Sequence, residues 1–207
     1  HPSSPCTESD IVARAEQALL QPAELSADAV AGVLGSLVQA PGVDAADLYF
    51  QHQISESWVL EDGIVKDGSF SVGGGVGVRA LCGEKTGFSY TDRADLGSIQ
   101  QAATAAASIA RGQGGQVAPL AQHSTTNLYT PGNPLDSLPR QDKVALLQRA
   151  DQLARRLDPR VVDVSVSLVG TWKTVLVLAS DGTLAADIRP LVRFSISVVL
   201  EKSGRKE

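Results

Sequence analysis

Residues 73–91 read GGGVGVRALCGEKTGFSYT, and the reading of this stretch decides the fold class. Gly75-Val76-Gly77-Val78-Arg79-Ala80 matches a dinucleotide-binding fingerprint with Ala in last place, and Gly83-Glu84-Lys85-Thr86 approaches a phosphate loop. A dinucleotide fold needs a helix opening within the fingerprint and an acidic residue about 20 positions further on. Residues 76–82 instead alternate, with Val76, Val78, Ala80 and Cys82 on one side, and their β-branched residues favour a strand. A phosphate loop needs Gly directly before Lys; here Glu84 intervenes, with a carboxylate that repels phosphate. The stretch therefore reads as strand, turn and strand. Its glycines mark a bulge, a tight bend or the close approach of another backbone.

Outward from this hairpin the pattern is helical, then strand-like, twice over. Ser9-Asp10 caps a helix running to Leu20, and Ser26 caps a second running to Gln39, ended by Pro41-Gly42. Residues 47–55 alternate, with Leu48, Phe50 and Ile54 on one face, and 58–66 read as two short strands joined at Asp62-Gly63. An Ala-rich helix follows at 95–111, closed by Gly112, and 113–139 form an aperiodic connector. Residues 141–157 place Val144, Leu147, Ala150, Leu153 and Ala154 on one helical face. Strands are expected at 161–169, 171–179 and 191–200, with Arg189-Pro190 marking a strand entry or bulge.

The chain also resembles itself. VLEDG (59–63) corresponds to VLASDG (177–182), and GEKTG (83–87) to LEKSG (200–204), with one two-residue gap aligning both pairs. The expected architecture is α+β, an antiparallel sheet with helices packed on it as a two-layer sandwich. It is built from two related helix-plus-meander units, 26–112 and 140–207, joined by the connector 113–139. The second copy carries an ordinary apolar strand where the first has glycines, which again argues against a phosphate cradle.

Composition excludes several classes of function. A net charge of -5 and 4% aromatic residues do not make a nucleic-acid footprint. No apolar run approaches the roughly 18 residues of a membrane span, and no secretory signal is present. Cys6 and Cys82 stand in no metal or redox spacing; Cys82 reads as a small buried hydrophobe and Cys6 as a tail residue. Two thiols without an export signal fit a reducing cytosol. His52 and His123 are isolated, and no serine sits in a G-x-S-x-G elbow. Glu56, Glu61 and Asp62 cluster around Trp58; paired carboxylates can do acid–base work, but solvated hairpin residues are the plainer reading. Arg79 and Lys85 can steer a carboxylate or pair with these acids. No catalytic residue and no metal ligand is assigned. A first residue His1, the absence of Met and a last residue close behind a strand-like run give the expectation that 1–207 are part of a longer protein.

Four strings carry a family resemblance: DLYFQ (47–51), ESWVLEDG (56–63), GVGVRALCGEKTGFSY (75–90) and DGTLAADIRPLVRFSISV (181–198). From 43 to 207 the chain resembles the N-terminal half of members of the TldD/PmbA family of metallopeptidases, also described as modulators of DNA gyrase. The resemblance implies a cytoplasmic zinc peptidase that trims peptides or unfolded segments and pairs with a TldE/PmbA-type paralogue. It also implies that zinc is held in the C-terminal half, by an H-E-x-x-x-H helix and a later cysteine. That motif does not occur in this sequence. Residues 1–207 are thus expected to be a non-catalytic α+β domain, inactive and zinc-free by themselves, that walls the substrate channel. Gly75, Gly77, Arg79, Glu56 and Trp58 are the candidates for that wall, since glycines at a strand edge let a peptide backbone come close. The alternatives are a module forming the interface with the paralogue and, last, a nucleotide-binding enzyme.

Overall fold

A computed structural model describes residues 7–110, 121–122, 129 and 132–206. Cys6, His123, Gly112 and most of the expected connector lie outside the described residues. Helix α1 (Glu8–Leu19) starts one turn earlier than its sequence signal suggested. Thr7 is the cap: the Asp10 N–H donates to its hydroxyl oxygen while Thr7 N–H donates to the Asp10 carboxylate. Asp10, expected as a cap, is instead the third helical residue that closes a capping box. Helix α2 (Ala27–Gln39) is capped by Ser26, and α3 (Leu96–Ile109) by Asp95, which accepts from the Ser98 N–H at 2.9 Å.

The strands are far longer than alternation alone indicated. They are β1 (Ala45–Glu61), β2 (Ile64–Cys82), β3 (Lys85–Thr91), β4 (Ala121–Gln122), β5 (Val161–Ala179), β6 (Thr183–Lys202) and β7 (Arg205–Lys206). Helix α4 (Arg140–Leu157) precedes β5, and among the described residues of the expected connector Pro134–Asp136 form a 3-10 turn. The described sheet runs β3-β2-β1-β5-β6-β4, with β7 added to β6. Ala46 exchanges hydrogen bonds with Ser180, and the Asp62 N–H donates to Val164 O, so β1 and β5 run antiparallel. The short β4 is parallel to β6. The expected α+β class, an antiparallel sheet with helices, is what the chain forms.

Expectation and structure differ at three further places in the strands, each for a local reason. Residues 56 and 57, which lie between the expected strands at 47–55 and 58–66, are half-buried like 51–55 and continue β1 without a break. Pro190 lies inside β6 rather than at its entry, as an edge strand allows. The aligned strings GEKTG and LEKSG both meet turns, but the turn residues are Gly83-Glu84 in one and Ser203-Gly204 in the other, three positions apart in the alignment. Ser203 (φ 54°) and Gly204 (φ 79°) are both left-handed, as a two-residue hairpin of the primed type requires.

The chain folds as two compact units. The first comprises the described residues up to 53, those of 73–131 and 173–188; the second comprises 54–72, the described residues of 132–172 and 189–206. In the first unit Leu34, Leu48, Phe50, Val76, Val78, Ile99, Ala106, Leu176 and Leu178 are fully buried. Gly87 of β3 is required there, because a Cβ would collide with the Ala106 carbonyl of α3. In the second unit α4 lays Val144, Leu147, Ala150 and Ala154 over Trp58, Leu60, Val164, Val166 and Leu168. Their spacing of three and four is the apolar stripe read from the sequence.

Candidate functional site

The phosphate-like turn is already occupied by a carboxylate. Gly83 takes φ +53° and donates its N–H to Asp44 Oδ2 at 2.6 Å, while the Asp44 N–H donates to Leu81 O at 2.7 Å. The Gly83 N–H that a phosphate loop would offer to its anion is thus already taken by a carboxylate.

The turn fixes the register of β2 on β3, with Cys82 opposite Lys85, Gly77 opposite Tyr90 and Val76 opposite Thr91. Val76, Val78 and Ala80 point into the core. Gly75 and Gly77 therefore face the other way, where they meet Tyr49, Gln51, Phe88 and Tyr90 around a cavity of about 240 Å³. The space above Gly75 belongs to the protein's own aromatic: a Cβ there would collide with the Tyr90 hydroxyl and the Thr91 carbonyl. Tyr90 holds this position by donating its hydroxyl to Gly74 O at 2.9 Å. At Gly77 a Cβ would lie 3.2 Å from the Phe88 ring. Two residues further along β2, Arg79 pairs with Asp47 at 2.6 Å. The result is a glycine floor walled by aromatic rings, with an amide at Gln51 and phenol groups at its rim.

Glu56 and Trp58 belong to the second unit and to a different arrangement. Glu56 accepts from the Trp58 indole N–H and from Lys143 Nζ at 2.7 Å, and Lys143 also donates to Leu135 O at 2.6 Å. The Arg140 guanidinium lies 4.9 Å over the Trp58 ring. Gly68 is the space Trp58 needs, since a Cβ would stand 2.6 Å from its ring. The acidic cluster is divided between cations of α4: Lys143 takes Glu56, and Arg155 takes Asp62 at 2.7 Å. The Arg155 hydrogen bond, with help from the Val164 N–H, holds the Asp62 carboxyl below the ordinary carboxylate range. These acids are structural partners, not an acid–base pair.

Among the described residues no three His, Cys, Asp or Glu side chains converge on a metal-sized site. His52 is half-buried on β1, and Cys82, expected in the core, is half-buried at the end of β2. No described helix is long and apolar enough to cross a membrane.

Comparison with known proteins places this geometry. Residues 46–110 match the family model "PmbA/TldA metallopeptidase domain 1", and 133–207 match "PmbA/TldA metallopeptidase central domain". The chain belongs to the PmbA/TldD metallopeptidase family. It is similar to the Metalloprotease TldD homolog of Haemophilus influenzae, with 48% identity over 192 residues, covering 91% of this chain and 40% of that protein. The homolog of Buchnera aphidicola subsp. Schizaphis graminum is 43% identical over 166 residues, covering 80% and 34%. The chain thus spans two fifths or less of these curated relatives. In fold it is similar to TldE from Thermococcus kodakarensis, with a TM-score of 0.66 at 16% identity, covering 86% of this chain and 40% of that one.

Sequence reasoning named Gly75, Gly77 and Arg79 but missed Tyr49, Gln51, Phe88 and Tyr90, which complete that face. The signal was present: once the turn is placed at Gly83-Glu84, counting outward sets Tyr90 opposite Gly77. Lys143 and Arg140 were missed for a different reason, since no local pattern in α4 points to Glu56 or Trp58.

Proposed function

We propose that this chain is the N-terminal, non-catalytic portion of a TldD-type zinc metallopeptidase that trims peptides or unfolded segments, and that its first unit walls the substrate channel. The reading rests on the face around Gly75 and Gly77. Its walls, formed by Phe88 and Tyr90, stand largely exposed to solvent, 61% and 59%, and the two rings border one cavity over the glycine floor. A cavity of this size suits one apolar peptide side chain, with Gln51 placed to hydrogen-bond the peptide main chain. Family membership supports the peptidase chemistry, and its zinc ligands would lie in the part of the protein that this chain does not include. Pairing with a TldE/PmbA-type paralogue and a cytoplasmic location complete the proposal.

Substitutions at Gly75 would disturb β2–β3 packing, so the wall itself is the better target. In the full-length enzyme, Gln51→Ala and Phe88→Ala should raise KM for an unstructured peptide several-fold, with zinc content unchanged by elemental analysis. Unaltered peptide cleavage in both variants would remove the channel assignment.

A further inference from the structure

The outer edge of β6 is unfinished. The β6–β7 hairpin pairs Lys202 with Arg205 and Glu201 with Lys206, and among the described residues β4 pairs with β6 at Thr183 and Leu184. Between them, residues 191–198 have no strand on the side away from β5 among the described residues. The stretch alternates: Val192, Phe194, Ile196 and Val198 lie on one face, Leu191, Arg193, Ser195 and Ser197 on the other. The apolar face turns toward α4. Val192 borders a cavity of about 120 Å³ beside Trp58 and Leu146, and Phe194 and Ile196 border another of about 400 Å³ beside Leu153 and Leu157. Yet these side chains stay 56% (Val192), 41% (Phe194), 48% (Ile196) and 44% (Val198) exposed. A long apolar edge with open main-chain groups is a site for pairing with another strand.

We infer that this edge is covered by the same polypeptide, which continues β7 antiparallel along β6 beyond residue 207. Three observations select this occupant. The hairpin turn already directs β7 along that edge. The central-domain model reaches residue 207 while the chain covers only 40% of its Haemophilus relative, so the relative has ample further length. The hydrogen-bond phase also agrees: the Glu201 N–H donates inward to Arg160 O, so Val192, Phe194, Ile196 and Val198 present their N–H groups outward.

The register then sets a pattern for the residues that follow 207. The second, fourth, sixth and eighth positions after residue 207 fall opposite Val198, Ile196, Phe194 and Val192. Opposed residues share a face, so these four positions fill the trough beside α4 and are apolar. Pro190 lacks an N–H and sits at the next outward-facing position, which ends the pairing there.

The inference shares with the proposed function only the premise that the chain continues, and it fails separately. In the full-length protein, Ser197→Cys is combined with a cysteine at the third position after residue 207. The two would be directly opposed on the solvent face, within disulfide reach. Tryptic mapping after mild oxidation should find the intrachain link, and moving the second cysteine one position further should abolish it. Wild-type full-length protein should exchange the Val192, Phe194, Ile196 and Val198 amides more than about a hundredfold slower than exposed amides. A link between two chains, protection that appears only with added peptide, or fast exchange with cleavage and zinc intact would each overturn the inference.

Discussion

Lys143 Nζ lies 2.7 Å from Glu56 Oε2, and the lysine is only 7% exposed. This pair joins the first turns of α4 to the middle of β1, beside Trp58. Removing one partner of a pair this enclosed leaves a charge without compensation, at a cost of about 3–5 kcal/mol. Replacing both by apolar residues of similar size removes that penalty. Lys143→Met should therefore be strongly destabilising in urea unfolding, and Lys143→Met with Glu56→Leu should recover most of the loss. If the double variant is as unstable as the sum of the singles, the pair is a net stabiliser and the desolvation argument fails.

Gly75 and Gly73 are neighbours on β2 with opposite requirements. A Cβ at Gly73 meets nothing within 4 Å, whereas at Gly75 it collides with the Tyr90 side chain and the Thr91 backbone. Overpacking of this kind costs about 1–3 kcal/mol. Gly75→Ala should lower the unfolding midpoint while Gly73→Ala leaves it nearly unchanged or slightly higher. Tyr90→Ala in the Gly75→Ala background should return only part of the loss, because the Thr91 carbonyl remains. Equal effects at the two glycines would contradict the β2–β3 packing described here.

The contrast shows what the sequence discloses and what it withholds. Strand, turn and strand were legible across 73–91, because alternation and the intruding Glu84 are local facts. So were the cap at Ser26 and the stripe on α4, whereas Asp95, read as the first residue of its helix, is the cap before it. The full lengths of β1 and β6 were not legible: nothing in Glu56-Ser57 joins the alternation of 47–55 to the strand that starts at Trp58, and Arg189-Pro190 reads as a strand entry although β6 runs through it. The assignment of Glu56 to Lys143, 87 positions apart, depends on which face of α4 meets which strand. Periodicity names the face but not its partner.

The Asp62-Gly63 turn was predicted from its dipeptide, and both residues do take left-handed backbone, φ 49° and 77°. Asp62 also accepts from Arg155 and from the Val164 N–H. Gly63→Ala imposes a conformation disfavoured by about 1–2 kcal/mol for an L-residue and should destabilise by that order. Asp62→Asn keeps the acceptor oxygen and the tolerance for positive φ, so it should be the mildest change, with Asp62→Gly intermediate and Asp62→Val worst. Thermal melts of the four variants give the order directly; a Val variant as stable as Asn would refute the turn assignment.

Asp158 links α4 to β5, and hydrogen bonds from the Arg160 side chain and then its backbone N–H pull its pKa down to about 2. A carboxyl whose folded pKa is depressed binds fewer protons in the folded state than in the unfolded one. Its contribution is fully present above the ordinary carboxylate range and is lost as pH falls from there through about 2. Asp62 and Asp95 are shifted in the same direction, by Arg155 and by the Ser98 N–H respectively. Acid should therefore loosen the α4–β5 junction, the first hairpin turn and the start of α3 within that window. Carboxyl-carbon NMR titration should find Asp158 the lowest of the three, and Arg160→Ala should return it toward the ordinary value while Asp62 stays low. An Asp158 that titrates normally in the unaltered protein would remove the Arg160 bridge as the feature that orders this junction.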